Sequence, residues 1–137
     1  MTRLLTLLFM FALTLAACQS KPVAEQIVSV AGGSYRNVSA DEVNTMLKNK
    51  DFVLVNVHIP FAGNIAGTDL SIPYDQIEQN LSQLPPNKNA KIVLYCRIGR
   101  MSAIAAQTLV KLGYTNIWNL DGGMDGWEQA GYPIEGK

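Results

Sequence analysis

The chain has 137 residues, of which 48% are hydrophobic and 16% charged, a composition that fits one globular domain and excludes a disordered chain. Lysine and arginine together number 11, against 11 aspartate and glutamate residues, and no block of like charge occurs. This balance excludes the basic surface of a nucleic-acid-binding protein and a polybasic attachment to lipid headgroups. Any anion-binding site must therefore be local.

Residues 1–17 have the pattern of a signal peptide. A short basic start at residues 1–3 is followed by a nearly unbroken apolar run at 4–15 and then by two alanines and Cys18. The apolar run is shorter than the roughly 20 residues that span a bilayer. We therefore favour export and cleavage over a permanent transmembrane helix.

Residues 15–18, Leu-Ala-Ala-Cys, resemble the lipobox of bacterial lipoproteins, in which the cysteine is lipidated and becomes the first residue of the mature chain. The resemblance implies that Cys18 carries lipid and anchors the exported protein in the cell envelope. With Gln19 in the second position, it implies the periplasmic side of the outer membrane where the host has two membranes. The alternative is a simple secretory signal with Cys18 unmodified.

We expect residues 18–33 to form the lipidated N-terminus and a tether, because they are a mixed stretch of small residues ending in Ala-Gly-Gly. Residues 34–137 are expected to form the folded domain. A short strand is predicted at 35–38. It precedes Ser39 and Glu42, which have capping-box spacing and predict a helix that continues to about Leu47.

Two continuous apolar, β-branched runs, at residues 52–57 and 91–95, predict strands that are buried on both faces of a parallel sheet. The later elements predicted from helical or strand spacing are a short helix at 74–81, a helix at 101–112, a strand at 116–120 and a short helix at 124–130. The alternation predicts a single α/β domain with a small, doubly wound parallel sheet flanked by helices.

Cys96 directly follows the strand at 91–95 and precedes the helix at 101–112, so it lies in a tight loop at the sheet edge where open α/β proteins bind ligands. Gly99 can adopt backbone angles barred to other residues, which lets consecutive N–H groups point inward as an anion-binding nest. The start of the helix adds the positive end of its dipole. Both features favour the thiolate of Cys96, which is the reactive form of cysteine.

The neighbours of Cys96 support the same interpretation. Arg97 and Arg100 add two cations that can attract an oxyanion such as thiosulfate, and Ser102 can cap the helix or donate to the same cradle. Without this context, a single cysteine at a strand end is more often a small buried hydrophobe. A lipidated Cys18 would also leave Cys96 without a disulfide partner, and a lone thiol in an oxidising compartment calls for a functional explanation.

His58 is the only histidine of the chain. It suggests a Cys-His pair with Cys96, but a thiolate that is already formed needs no general base to act as a nucleophile. We therefore interpret His58 as a structural residue or a residue at the rim of the site.

Residues 96–102, Cys-Arg-Ile-Gly-Arg-Met-Ser, resemble the active-site loop of rhodaneses, often written Cys-Arg-x-Gly-x-Arg-Ser. Residues 121–127, Asp-Gly-Gly-Met-Asp-Gly-Trp, and 130–133, Ala-Gly-Tyr-Pro, resemble the end of a rhodanese domain, and the likeness covers about residues 33–135. It implies the rhodanese fold and a sulfurtransferase that needs no metal or organic cofactor. The resemblance implies that Cys96 accepts the outer sulfur of a donor to form a persulfide and passes this sulfur to cyanide or a thiol. The residues implied in binding the donor are Arg97, Ile98, Gly99, Arg100, Met101 and Ser102.

The chain departs from the common rhodanese pattern at three places. Asn56-Val57-His58 stands where Asp-Val-Arg is common, residues 63–65 read Gly-Asn-Ile instead of Gly-His-Ile, and Met101 stands where the second arginine is often found. These departures leave the donor preference open. A phosphatase of the related fold would need a longer loop with arginine at its seventh position. This chain has Ser102 at that position, which disfavours phosphatase activity.

Two functional hypotheses follow from the sequence. The first is a monomeric sulfurtransferase that uses a small anionic donor such as thiosulfate and a thiol or cyanide acceptor. The second is a noncatalytic binding or sensing module of the cell envelope that keeps the same fold.

Overall fold

The computed structural model describes residues 26–137. Eight strands occur in this part of the chain: β1 (Gln26–Val30), β2 (Gly33–Val38), β3 (Val53–Asn56), β4 (Asn64–Ile65), β5 (Leu70–Ser71), β6 (Ile92–Tyr95), β7 (Ile117–Leu120) and β8 (Ile134–Glu135). Six of them form one sheet in the order β1-β2-β7-β6-β3-β5, and β4 pairs with β8 in a separate two-stranded sheet. In the large sheet only β1 is antiparallel to its neighbour.

Three α-helices and two short 3₁₀ helices connect these strands. The α-helices are α1 (Ala40–Leu47), α2 (Arg100–Lys111) and α3 (Gly123–Gln129), and the 3₁₀ helices are Tyr74–Gln76 and Glu78–Gln83. Helix α1 begins at the predicted capping box, because Ser39 Oγ accepts the Glu42 N–H at 3.3 Å and the Glu42 carboxylate accepts the Ser39 N–H at 2.8 Å. The short helix predicted at 74–81 is instead two 3₁₀ segments, with non-helical angles at Asn80.

Apolar side chains are packed on both faces of the large sheet. On one face, residues such as Leu94 and Val55 form a cluster with Leu109 of α2. On the other, Val93 clusters with Val43 of α1, Trp127 of α3 and their neighbours. Because both faces are covered, β3 and β6 are continuous apolar runs in the sequence rather than alternating ones. The predicted fold, one α/β domain with a mostly parallel sheet between helices, is confirmed.

The first described residues differ from the prediction. We expect residues 18–33 to be a tether, but residues 26–30 form strand β1, which pairs antiparallel with β2 from Gln26 opposite Asn37 to Val30 opposite Gly33. The physical reason is packing, because Val28 and Val30 are half-buried against the core. The predicted signal peptide and Cys18 lie outside the described residues. Within residues 26–137, no helix is long and apolar enough to cross a membrane.

Candidate active site

The Cys96 loop, defined here as residues 96–102, joins the carboxyl end of β6 to the first turn of α2. Gly99 is the N-cap of α2 and has φ 93° and ψ −9°, a left-handed conformation that disfavours side chains. Because of this turn the chain folds back on itself within three residues. The Gly99 N–H then points at the side chain of Cys96.

Two donors contact the sulfur of Cys96. The Gly99 N–H donates to Sγ over 3.1 Å. The Ser102 hydroxyl lies 3.4 Å from Sγ and 3.2 Å from the carbonyl oxygen of Gly99, so it can donate to either. Hydrogen bonds of this kind are stronger to a thiolate than to a thiol, and they favour the negative form of the sulfur.

Helix α3 supports the loop from behind. The Met124 N–H donates to the Cys96 carbonyl oxygen and the Asp125 N–H donates to the Arg97 carbonyl oxygen, each at 2.9 Å. This approach requires a glycine at the start of α3, because a Cβ on Gly123 would lie 2.4 Å from the Cys96 carbonyl oxygen. The sequence alone predicts only an ordinary turn at Gly123. The glycine pair after β7 was the signal for this contact.

A pocket of about 250 Å³ opens beside the sulfur, and it is lined by His58, Cys96, Arg97, Ile98, Arg100 and Met101. Cys96 is only 1% exposed, so it forms the buried part of this lining. Ile98 is 62% exposed and forms part of the outer rim. Of the loop residues predicted to bind the donor, Arg97, Ile98, Arg100 and Met101 therefore share the pocket with the thiol. Gly99 and Ser102 contact Sγ instead.

The two arginines of the loop are not equivalent. The Arg97 Nε lies 3.4 Å from the Asp125 carboxylate in a partly exposed ion pair. Arg100 is exposed and forms no ion pair with any residue in the part of the chain that the structure describes. Asp125 is a site residue that sequence reasoning missed. Its only signal was its place two residues after Gly123.

His58 stands on the pocket wall, which agrees with the predicted place at the rim of the site. Its Nδ1 atom is buried and has no hydrogen-bond partner within residues 26–137. Burial lowers the pKa of His58, the charge of Arg97 lowers it further, and Asp125 acts in the opposite direction. The imidazole is therefore neutral at neutral pH.

The segment that carries His58 is held by the buried side chain of Asn56. Its Oδ1 accepts the His58 N–H at 3.0 Å, and its Nδ2 donates to the Gly63 carbonyl oxygen and to the Asn64 Oδ1, both at 2.9 Å. An aspartate, the common rhodanese residue at this place, has no donor for these two acceptors. The departure at Asn56 is thus matched by the departure at Asn64.

Comparison with known proteins places this geometry in a family. A model described as the rhodanese-like domain matches residues 39–130, which is more than half of the chain. The chain belongs to the rhodanese-like domain family. The rhodanese-like match contains the Cys96 loop, the strand that precedes it and α3.

Relatives of this rhodanese-like domain agree with the assignment. A sulfurtransferase of Allochromatium vinosum is 33% identical over 87 residues, which cover 62% of this chain and 79% of that protein. The thiosulfate sulfurtransferase PspE of Escherichia coli is 32% identical over 53 residues, covering 39% of this chain and 51% of the relative. A rhodanese-related protein of Thermoplasma volcanium superposes with a TM-score of 0.63 at 29% identity, covering 73% of this chain and 97% of that chain. These relatives support a sulfurtransferase-family role.

Proposed function

We propose that the protein is a rhodanese-type sulfurtransferase in which Cys96 accepts a sulfane sulfur as a persulfide and passes it to a thiophilic acceptor. In vitro it transfers sulfur from thiosulfate to cyanide. The observation that carries the proposal is the pair of donors on Cys96 Sγ, the Gly99 N–H at 3.1 Å and the Ser102 hydroxyl at 3.4 Å, next to a pocket that the same sulfur lines.

The reaction has two steps. The Cys96 thiolate attacks the outer sulfur of thiosulfate, the bond between the two donor sulfurs breaks, and its electron pair leaves with sulfite. The acceptor then attacks the terminal sulfur of the persulfide, and the Cys96 thiolate is restored. Cys96 is a thiolate before it accepts sulfur and a persulfide anion afterwards. Hydrogen-bond donors that are already in place around the site therefore stabilise both states of the cycle.

Burial of the sulfur works against this chemistry unless hydrogen bonds offset it. Cys96 is 1% exposed, and a thiolate removed from water loses hydration. The Gly99 N–H and the Ser102 hydroxyl replace that hydration at fixed positions, and the adjoining start of α2 adds a favourable dipole. The donor sulfur has to enter the pocket to reach Sγ, which limits the site to compounds with an accessible terminal sulfur.

A Cys96→Ser variant tests the proposal in the thiosulfate:cyanide assay. Thiocyanate formation by the wild type and its complete loss in Cys96→Ser are the expected results, since a hydroxyl cannot form the persulfide. A wild type that transfers no sulfur from any donor tried would overturn the enzymatic proposal and favour a noncatalytic binding module. In that case partner binding should survive in Cys96→Ser.

We propose in addition that Cys18 is lipidated and anchors the exported protein in the cell envelope. The support is residues 15–18, Leu-Ala-Ala-Cys, after an apolar run. In a bacterial host, the wild type and Cys96→Ser should sediment with membranes and carry lipid on the N-terminal peptide, and Cys18→Ser should do neither. A wild type found in the soluble fraction with an unmodified Cys18 would contradict the anchor.

A further inference from the structure

Lysine side chains gather at one edge of the large sheet. The amino ends of the five parallel strands, β2, β7, β6, β3 and β5, lie at this edge, and α1 and α2 return the chain to it. A Cβ added to Gly32, in the turn before β2, would lie 3.4 Å from the Cα of Lys111 at the end of α2. We call the lysines that precede these strands or end these helices the basic edge: Lys48, Lys50, Lys88, Lys91 and Lys111.

Two aspartates compensate part of this charge. Lys50 pairs with Asp69, and the Lys91 Nζ lies 3.0 Å from the Asp51 carboxylate. The other three lysines are exposed and pair with no carboxylate within residues 26–137; they are Lys48, Lys88 and Lys111. The basic edge therefore carries three uncompensated positive charges.

The opposite edge of the sheet, where the Cys96 loop lies, has the opposite sign. The five residues that follow each parallel strand include two arginines, Arg97 and Arg100. They also include five carboxylates: Asp41, Glu42, Asp75, Asp121 and Asp125. The domain is thus polarised, although the charge of the whole chain is balanced. The sequence shows no run of like charge because the lysines come from separate segments, so total charge alone does not exclude a locally basic surface.

Trp118 lies beside the basic edge, as the second residue of β7, and is only partly buried. The Arg36 guanidinium lies 4.5 Å and the Lys91 ammonium 5.4 Å from the centre of its ring. Ile27, which is 58% exposed, stands opposite Arg36 in the β1–β2 pair. Tryptophan beside cations and an exposed aliphatic side chain is a composition typical of surfaces that meet the headgroup region of a bilayer.

The chain between the proposed anchor and the domain is short. Seven residues, 19–25, separate Cys18 from Gln26, so the two residues are at most about 29 Å apart. Gln26 pairs with Asn37 toward the carboxyl end of β2, and β1 runs from there to the amino edge over about 13 Å. The reach therefore exceeds the height of the sheet. The domain stays near the bilayer and can still set its basic edge against it.

We propose that the basic edge docks on anionic phospholipid headgroups, with Trp118 at the level of the headgroups, and that the Cys96 pocket thereby faces away from the bilayer. The inference goes beyond sulfur transfer and rests on the proposed anchor at Cys18. A lysine close to an anionic bilayer contributes about fivefold to partitioning, so three contribute roughly a hundredfold. This attraction is weak alone, but the anchor already holds the domain at the surface, where it suffices to set the orientation.

The fluorescence of Trp118 in an anchored protein tests this orientation. The sequence has two cysteines, so Cys96→Ser leaves Cys18 as the only thiol. Coupling the chain from Cys18 onward to a maleimide-headgroup lipid fixes the anchor at this residue, whether or not a host lipidates it. The vesicles consist of phosphatidylcholine, with or without an equal part of phosphatidylglycerol, and contain a lipid whose spin-labelled headgroup quenches nearby tryptophans. Trp127 is the second tryptophan and is 3% exposed, so Trp118→Phe measures the background.

We expect quenching of Trp118 to be roughly twofold or more stronger in the vesicles with phosphatidylglycerol, and the difference to shrink in high salt. Lys48→Glu combined with Lys111→Glu should abolish the difference, because it leaves one positive and two negative charges in place of three positive ones. Lys137→Glu is the control, because Lys137 is an exposed lysine that lies outside the basic edge and pairs with Glu128. It should keep the wild-type difference.

Three results would overturn the docking proposal. They are the absence of Trp118 quenching in both kinds of vesicle, equal quenching in the two, and an undiminished difference in the double lysine variant at an unchanged melting temperature. Equal quenching would instead favour an acidic protein as the partner of the basic edge. Failure of the anchor proposal has a separate signature, an unmodified Cys18 in the bacterial host, and failure of the sulfurtransferase proposal appears only in the transfer assay.

Discussion

Gly123 lies against Cys96 so closely that a Cβ on the glycine would come within 2.4 Å of the cysteine's carbonyl oxygen. Outside its own residue and the two neighbouring residues, a Cβ atom essentially never lies that close to another heavy atom. The first turn of α3 therefore reaches the Cys96 loop only because residue 123 has no side chain. It then donates two backbone hydrogen bonds to the loop, at Cys96 and Arg97.

Gly123→Ala should destabilise the fold and displace the loop. The alanine meets backbone atoms and also has to adopt φ 55°, so we expect the free energy of unfolding to fall by roughly 3 kcal/mol or more. Gly131→Ala is the control, because Gly131 has φ 90° with no atom within 4 Å of its added Cβ. The control should lose only about 1 kcal/mol, the cost of the left-handed conformation alone, as measured by urea denaturation. Equal losses in the two variants would contradict the close contact.

Ser102→Ala should slow sulfur transfer without unfolding the protein. It removes the hydroxyl that lies 3.4 Å from Cys96 Sγ, and hydrogen bonds to charged groups contribute about 1.5 kcal/mol or more, which corresponds to roughly tenfold in rate. Thr108→Ala removes a hydroxyl of the same helix that donates only to the Ile104 carbonyl oxygen, and its rate should match the wild type. A full-rate Ser102→Ala enzyme would exclude a role for this donor.

His58 should make stability depend on pH in the acidic range. Its pKa is lowered in the folded state from the ordinary 6.5, chiefly by burial and then by Arg97, with Asp125 opposing. Protons therefore bind the unfolded chain more readily, so the contribution of His58 to stability is present above about pH 6.5 and is lost as the pH falls toward the folded-state pKa. Urea denaturation between about pH 8 and about pH 5 should show a steeper loss for the wild type than for His58→Gln. Parallel curves would refute the shift.

Asn56→Asp should loosen the segment that carries His58. The new carboxylate is buried and faces two acceptors, the Gly63 carbonyl oxygen and the Asn64 Oδ1, which now receive hydrogen bonds from Nδ2. We expect a loss of about 3 kcal/mol in unfolding free energy at neutral pH. Asn80→Asp makes the same change on the exposed side-chain bond to Gln76 and should stay within about 0.5 kcal/mol of the wild type. If the free energy of unfolding of Asn56→Asp equals that of the wild type, Asn56 does not hold the segment.

Much of the fold follows from local sequence signals. The apolar runs that became β3 and β6 and the capping box at Ser39 each specify an element through their own residues. The strands β4, β5 and β8 could not be predicted, because two residues are too few to show an alternation of apolar and polar side chains. Strand β1, Gln-Ile-Val-Ser-Val, was not predicted because it lies in a mixed stretch that ends in Ala-Gly-Gly. Its pairing with β2 and the contact of Val28 and Val30 with the core make it a strand.

In the candidate site, contacts within one loop could be predicted from the sequence, whereas contacts between distant segments could not. The loop chemistry of Cys96, Gly99 and Ser102 is contiguous in sequence, so both contacts to the sulfur were predictable. The pairing of Arg97 with Asp125 joins a loop to a helix that begins after another strand, and no local pattern encodes it. This pairing is also what makes the two arginines unequal, because Arg100 has no carboxylate partner within residues 26–137.

Mass spectrometry of the protein after incubation with a sulfane-sulfur donor tests the central claim most directly. The account predicts that the peptide containing Cys96 gains the mass of one sulfur atom, that dithiothreitol removes it, and that Cys96→Ser never gains it. A wild-type Cys96 peptide of unchanged mass after exposure to thiosulfate and to every other sulfane-sulfur donor tried would contradict the account.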